Sequence, residues 1–191
     1  RVSGSSPRLN DPALEELPDS AVLEPLLGRL AFTTDAFVVK PLFFRGGDIG
    51  RLAVCGTVND LAVAGAQPRC LSLAAVIEEG FPLEDLRRVA SSAASAAREA
   101  GVRLVTGDTK VVERGAAEGL YLATAGLGIV PEGRDVRSSA IRPGDVVLLS
   151  GRIAEHGVAL LAEREGLAFS TEVRSDCAPL AEMVEHLFAS G

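Results

Sequence analysis

The sequence predicts an α/β (α+β) fold, and three observations carry that expectation. Strand-length apolar runs rich in Val, Leu, Phe and Thr alternate with longer segments of helical period. Apolar residues make up 47% of the 191, enough for a real core. The bulk is Ala, Val, Leu and Gly, with seven Phe, one Tyr and no Trp, which suits small-residue helices packed closely against a sheet.

Residues 1–16 form a polar lead without a clear period. "SAVLE" (20–24) and "GRLAFTTDAFVV" (28–39) read as a short strand and a longer one. "KPLFFRGGDIG" (40–50) is a loop whose Asp48 is placed to cap a helix over 49–64, ended by Gly65 and Pro68. "CLSLAAVI" (70–77) is a continuous apolar strand, and 81–101 an amphipathic helix with Pro82 and Glu84-Asp85 at its start and Gly101 at its end. "VRLVT" (102–106) and "GLYLATAGLGIV" (119–130) are strands on either side of "GDTKVVERG". Pro131 and the charged stretch to residue 145 mark a boundary. Beyond it come a strand, "VVLLSG" (146–151), and helices near 154–165 and 178–189. One strand and two helices cannot cover both faces of a sheet. The expected organisation is therefore a lead (1–16), a first α/β domain (17–135) and the opening of a second, truncated α/β domain (136–191). The start at Arg1 fits the same expectation of a trimmed chain.

Nineteen basic and 26 acidic residues give a net charge of -7, which disfavours a long nucleic-acid surface and leaves room for a local phosphate site. The three cysteines form no C-x-x-C pair and there are only two histidines, so a zinc centre and a disulfide scaffold are both poorly supported. The apolar stretch 52–66 is too short and too polar to span a bilayer, and the expected location is cytoplasmic.

Four carboxylates stand at element ends or on a helix: Asp19, Asp35, Asp60 and Asp108. Several Asp gathered at one edge of an α/β sheet would repel one another, a cost a divalent cation removes. Mg²⁺ takes such hard oxygen ligands and bridges them to phosphates. In "VCGTVNDLAVAG" (54–65) the pair Asn59-Asp60 interrupts an apolar helix. Either it hydrogen-bonds a neighbouring loop at a helix flaw, or it carries a carboxylate to a site. Gly56 in the same helix costs about 1 kcal/mol against Ala, tolerable where something must approach closely. Asp48 and Asp60 are about 18 Å apart along a continuous helix, so Asp48 is a cap or a separate contact. In "VTGDTKVVERG", Thr106, Thr109 and the amides around Gly107 can donate to an anion, and Lys110 offers a mobile cation. No Walker loop or dinucleotide fingerprint is present. Cys55, Cys70 and Cys177 read as structural, and His156 either orients a ligand or starts a helix.

The segments "TTD", "GGDIG", "TVNDLA" and "VTGDTKVV", in this order and spacing, resemble the HypE family of hydrogenase maturation factors, within the superfamily of aminoimidazole ribonucleotide synthetase and selenophosphate synthetase. The resemblance runs from about residue 17 to 191. It implies an ATP-dependent carbamoyl dehydratase that turns a C-terminal cysteine thiocarbamate into a thiocyanate, the source of cyanide ligands for nickel-iron hydrogenase. Carried onto this chain, it implies Lys110 and Asp108 in catalysis and Asp35, Asp48, Asn59, Asp60, Thr106, Asp108, Thr109 and Lys110 around ATP. It also implies Asp19, Asp35, Asp60 and Asp108 around Mg²⁺. Further implications are a ferredoxin-like N-terminal domain whose sheet joins a dimeric barrel-like core, a homodimer through that domain, and as partners the carbamoyltransferase HypF and the iron-carrying HypC-HypD complex. "RVSGSSPRLN" lacks the family's glycine-rich, His-containing lead, and Cys177 does not inherit the role of the terminal acceptor cysteine. Another synthetase of the superfamily, or a catalytically silent dimerisation or docking module, would share much of this pattern.

Overall fold

The alternation in "RLAFTTDAF" becomes strand β1 (Arg29–Phe37) in the computed structural model, which describes residues 20–167 and 171–190. A two-residue hairpin, β2 (Phe43–Phe44) and β3 (Gly47–Asp48), leads into helix α1 (Ile49–Val63). Asp48 caps α1 as expected, its Oδ1 accepting from the amides of Gly50 at 2.7 Å and Arg51 at 3.1 Å. Strand β4 (Gln67–Glu78), helix α2 (Leu83–Glu99) and strands β5 (Arg103–Val112) and β6 (Leu120–Val130) follow. Both helices end on a left-handed glycine. Gly65 has φ +79° and Gly101 φ +67°, and in each case the next amide reaches back five residues, Ala66 to the Leu61 carbonyl and Val102 to Ala97. A short 3₁₀ turn (Ser138–Ala140) and helices α3 (Glu155–Glu165) and α4 (Ala181–Ser190) complete the described elements.

The four long strands form one open mixed sheet in the order β1-β6-β4-β5. β6 is antiparallel to both neighbours, and β4 and β5 are parallel, joined by α2. One face is covered by α1, which is buried almost all round, with α2 beside it. The core joins Val54, Val58 and Leu61 of α1 to Leu71, Leu104 and the alanines of α2. A second apolar cluster gathers Phe37, Ile49, Val89, Leu120 and Leu122. The glycine at position 50 of α1 has a steric reason: a Cβ there would stand 2.4 Å from the Val89 carbonyl oxygen and 3.2 Å from the Ala93 amide nitrogen of α2. The two helices cross at backbone distance there.

Several expectations are corrected. The chain order is β-α-β-α-β-β with a parallel edge pair, not the ferredoxin-like β-α-β-β-α-β. The sheet forms no barrel-like core: β1 and β5 are open edges, each with one neighbour, and the sheet does not curl to bring them together. "SAVLE" and "VVLLSG" are not strands. Val146 to Leu149 find no strand to pair with among the described residues and are exposed, Val147 at 91%. The lead 1–16 lies outside the described residues. No helix among the described residues is long and apolar enough to cross a membrane.

Candidate functional site

Period two on β1 sends Ala31, Thr33, Asp35 and Phe37 to the helix side and Leu30, Phe32 and Thr34 to the other. On the helix side the site begins with Thr33, whose Oγ1 donates to Asp60 Oδ2 at 3.1 Å. Two residues along, Asp35 turns toward Gly56: a Cβ there would lie 3.4 Å from Asp35 Oδ2 and 3.0 Å from the Phe37 ring. Gly56 is thus the gap in α1 that admits a strand carboxylate and an aromatic ring. Asp35 uses its Oδ1 on the amide of Ala36 at 2.8 Å, leaving Oδ2 toward α1. Behind the pair, Thr57 of α1 is hydrogen-bonded to Thr124, the β6 residue in register with Asp35, and also donates to the Ala53 carbonyl at 3.1 Å. These two buried hydroxyls are satisfied and fix α1 on the sheet.

Asp35 and Asp60 therefore face the same seam between β1 and α1, at positions one strand repeat and one helical turn apart along it. Asp60 is exposed and Asp35 half-buried. Hard carboxylate oxygens with open sides fit a hydrated Mg²⁺, which keeps several waters and one or two protein ligands. No cluster of three or more His, Cys, Asp or Glu able to hold a metal occurs among the described residues. Asp19, expected as a ligand, lies outside them.

Asp108 does not join that pair. The register of β5 with β4 places Thr106, Asp108 and Lys110 opposite Ser72, Ala74 and Val76, on the uncovered face of the sheet. Asp35 is on β1, the other edge, three strand spacings or about 14 Å away and on the other face. Asp108 Oδ1 accepts from the Thr109 amide at 2.8 Å, the same self-turn that Asp35 makes. The Thr109 side chain points to the helix side but stays exposed at the strand's overhanging end. Glu78, accepting from the amides of Gly115 at 2.6 Å and Gly119 at 2.8 Å, ties the β5-β6 turn. Those two bonds hold its carboxyl below the usual range.

Asn59 answers the opening alternative differently from its neighbour. Its Nδ2 donates to the Ala178 carbonyl at 3.0 Å and its Oδ1 accepts from the Leu180 amide at 2.7 Å, so both ends clamp the segment before α4. Asp48 is engaged as the cap of α1, away from Asp60. Sequence reasoning did not single out Thr33, although its spacing of two from Asp35 puts both on one strand face. It also took Cys55 and Cys177 separately, where the fold packs Cys177 against the cluster containing Cys55. No local spacing links residues so far apart in the chain.

Residues 18–130 match the family model described as AIR synthase related protein, N-terminal domain. The chain is 57% identical over 164 residues to the carbamoyl dehydratase HypE of Rhizobium leguminosarum bv. viciae, covering 86% of this chain and 47% of that protein. To the carbamoyl dehydratase HypE of Escherichia coli K12 it is 50% identical over 159 residues, 83% of this chain and 47% of that one. Among solved structures, the hydrogenase maturation protein HypE in complex with ATP superposes with a TM-score of 0.90 at 47% identity, over 94% of this chain and 53% of that chain. A HypE-HypF complex gives 0.84 at 49% identity, over 95% and 59%. The chain spans about half the length of the curated relatives it matches.

Proposed function

The chain belongs to the AIR synthase related protein family, and from that premise we propose that it is the ATP-binding half of a carbamoyl dehydratase of the HypE type. The observation that carries the reading is the convergence of Asp35 and Asp60 through Gly56 and Thr33, on a chain 47% identical to a HypE crystallised with ATP. The reaction of the whole protein would be ATP-dependent dehydration of a C-terminal cysteine thiocarbamate. The carbamoyl oxygen takes the γ-phosphoryl group, ADP leaves, the nitrogen gives up its protons, and the C-O bond breaks to release phosphate and leave a thiocyanate. A poor leaving oxygen becomes a good one, and the demand on the protein is positioning and charge stabilisation.

In this reading Asp35 and Asp60 hold Mg²⁺ at the triphosphate. When bound, the ion supplies neutralisation of the developing phosphate charge. Lys110 stabilises the transferring phosphoryl group, the Thr106 hydroxyl beside it donates to the phosphate end, Asp108 would act there through a cation, and Thr109 contributes through its backbone. Asn59 and Asp48 serve indirectly, by fixing α1. Because the β5 group and the β1-α1 group lie at opposite edges, a second copy brings one to the other. The uncovered face, with Leu30 56%, Phe32 69% and Val38 63% exposed, supplies apolar surface for that homodimer. HypF is the proposed carbamoyl donor partner and the HypC-HypD complex the cyanide acceptor, in the cytoplasm.

Calorimetric titration with Mg-ATP tests the site. The chain binds, and Asp60→Ala weakens binding by about tenfold or more; equal affinities would remove Asp60 from the site. Mixing Asp60→Ala with Asp108→Ala copies tests the shared site. Subunit exchange restores roughly a quarter of the sites if each is built from two copies, and none if each is built within one.

A further inference from the structure

The stripe Arg51, Cys55 and Asn59, one helical turn apart on α1, receives the segment 175–180 as it approaches α4. Arg51 Nε donates to the Cys177 carbonyl at 3.1 Å, and Asn59 grips Ala178 and Leu180. The Cys177 amide donates to Ser175 Oγ at 3.2 Å, and that hydroxyl also lies 3.0 Å from His156 Nδ1. Backbone contacts on both sides of Cys177 thus bring its side chain onto α1, where it packs against the core cluster that holds Cys55. Cys55 is 1% exposed and packed with Val54, Val58 and Leu71, while Cys177 is half-buried. The neighbouring Cys177 thiol and, after it, the Arg51 guanidinium hold Cys55 below the ordinary thiol range against the effect of burial. The proximity of Cys55, with burial, pushes Cys177 up. The third thiol, Cys70, is buried on β4.

We propose that Cys55 and Cys177 are a reversible disulfide site, closed by a low-molecular-weight disulfide, which fastens the segment 175–180 covalently onto α1. The Cys55 thiolate takes the proton of the Cys177 thiol as the Cys177 sulfur attacks one sulfur of the reagent. A mixed disulfide forms at Cys177 and the first small thiolate departs. Cys55 then gives up its proton, its sulfur attacks Cys177 Sγ, and the mixed bond breaks to release the second small thiolate. Two protein thiols are oxidised to one cystine. The reagent takes the two electrons and, with the two protons, leaves as two thiols. The site depends on no assignment of the ATP groups. Its consequence reaches them through α1, which carries Asp60 beside Asn59, because the closed bond locks the segment in register on that helix.

The test incubates the chain with oxidised glutathione, quenches it in acid, unfolds it, alkylates free thiols and maps the peptides by mass. The expected result is one alkylated cysteine, Cys70, and a linked Cys55-Cys177 peptide that dithiothreitol separates. In Cys177→Ser, which keeps a small polar side chain at a half-buried position, Cys55 and Cys70 both remain alkylatable. A glutathione adduct that persists on Cys177 while Cys55 is still alkylated would overturn the proposal, as would three free thiols or a link to Cys70.

Discussion

Residues 70–77 and 146–151 are two apolar runs of strand length, and their fates differ. The first lies in β4, hydrogen-bonded to β6 on one side and β5 on the other, with Leu71 1% exposed. The second meets no strand among the described residues, and Leu148 stands 81% exposed. Composition makes a segment able to be a strand; a partner edge and a covering layer make it one.

Paired truncations should give the largest contrast. Leu71→Ala is expected to cost about 2–5 kcal/mol in denaturant unfolding, because it removes a core side chain between α1 and the sheet. Leu148→Ala should stay within about 0.5 kcal/mol. A comparable loss at both positions would break the comparison, showing that 146–151 is covered in solution.

Glycines sharpen the same contrast. Gly50→Ala puts a Cβ against the Val89 carbonyl, where no flexible side chain can yield, and should cost about 1–3 kcal/mol or more. Gly157, in the first turn of α3, has nothing within 4 Å of a built Cβ. Gly157→Ala should instead stabilise by up to about 1 kcal/mol, the intrinsic preference of a helix for Ala. Thermal midpoints of the two variants, moving in opposite directions, are the check.

The parts that were legible in the sequence are local ones. Asp48 as a cap, Gly65 and Gly101 as stops, and the amphipathic face of α2 each rest on residues within a few positions of one another. Gly56 was legible as a place of close approach, although not that Asp35 and Phe37 are what approach. The sheet order was not legible, since it depends on pairings between residues as distant as Arg29 and Val130. For the same reason the split between Asp35-Asp60 and Asp108-Lys110 could not be read from spacing: Asp35 and Asp108-Lys110 stand on strands, and only register tells which edge and face. Asn59 beside Asp60 shows the limit most plainly. On a helix, adjacent residues point about 100° apart, so one side chain clamps a segment 119 positions away while the next faces β1.

Asn59→Ala follows in size. It removes two hydrogen bonds from a half-buried clamp and leaves the Leu180 amide and the Ala178 carbonyl without their partner. A loss of about 1–2 kcal/mol is expected. Hydrogen exchange should localise it: faster at Leu180 and along α4, unchanged in β4. Equal acceleration in both regions would mean that the segment 175–180 folds as one unit with the sheet.

The smallest effect is a pH dependence at the other attachment of α4. Arg134 is bonded to Glu185 and lies over the Phe188 ring at 4.2 Å, while Gln67 Nε2 donates to Glu185 Oε2 at 3.0 Å. The Arg134 hydrogen bond, ahead of the cost of burial and the help of Gln67, pulls the Glu185 carboxyl down to about 2. A carboxyl depressed in the folded state contributes stability that is fully present above its ordinary range near 4.5. That contribution is lost as pH falls through the window down to about 2. Both partners are partly exposed, so the contribution is screened and should stay under about 1 kcal/mol. Acid should therefore loosen α4 before it touches the sheet, visible as exchange at residues 184–188 rising between these pH values while β4 stays protected. In Arg134→Gln the extra acid sensitivity of α4 should disappear, because the charge that depressed the carboxyl is gone. If α4 and β4 instead lost protection together in both proteins, the two regions would share one cooperative unit, and the contrast between 70–77 and 146–151 would be one of exposure alone.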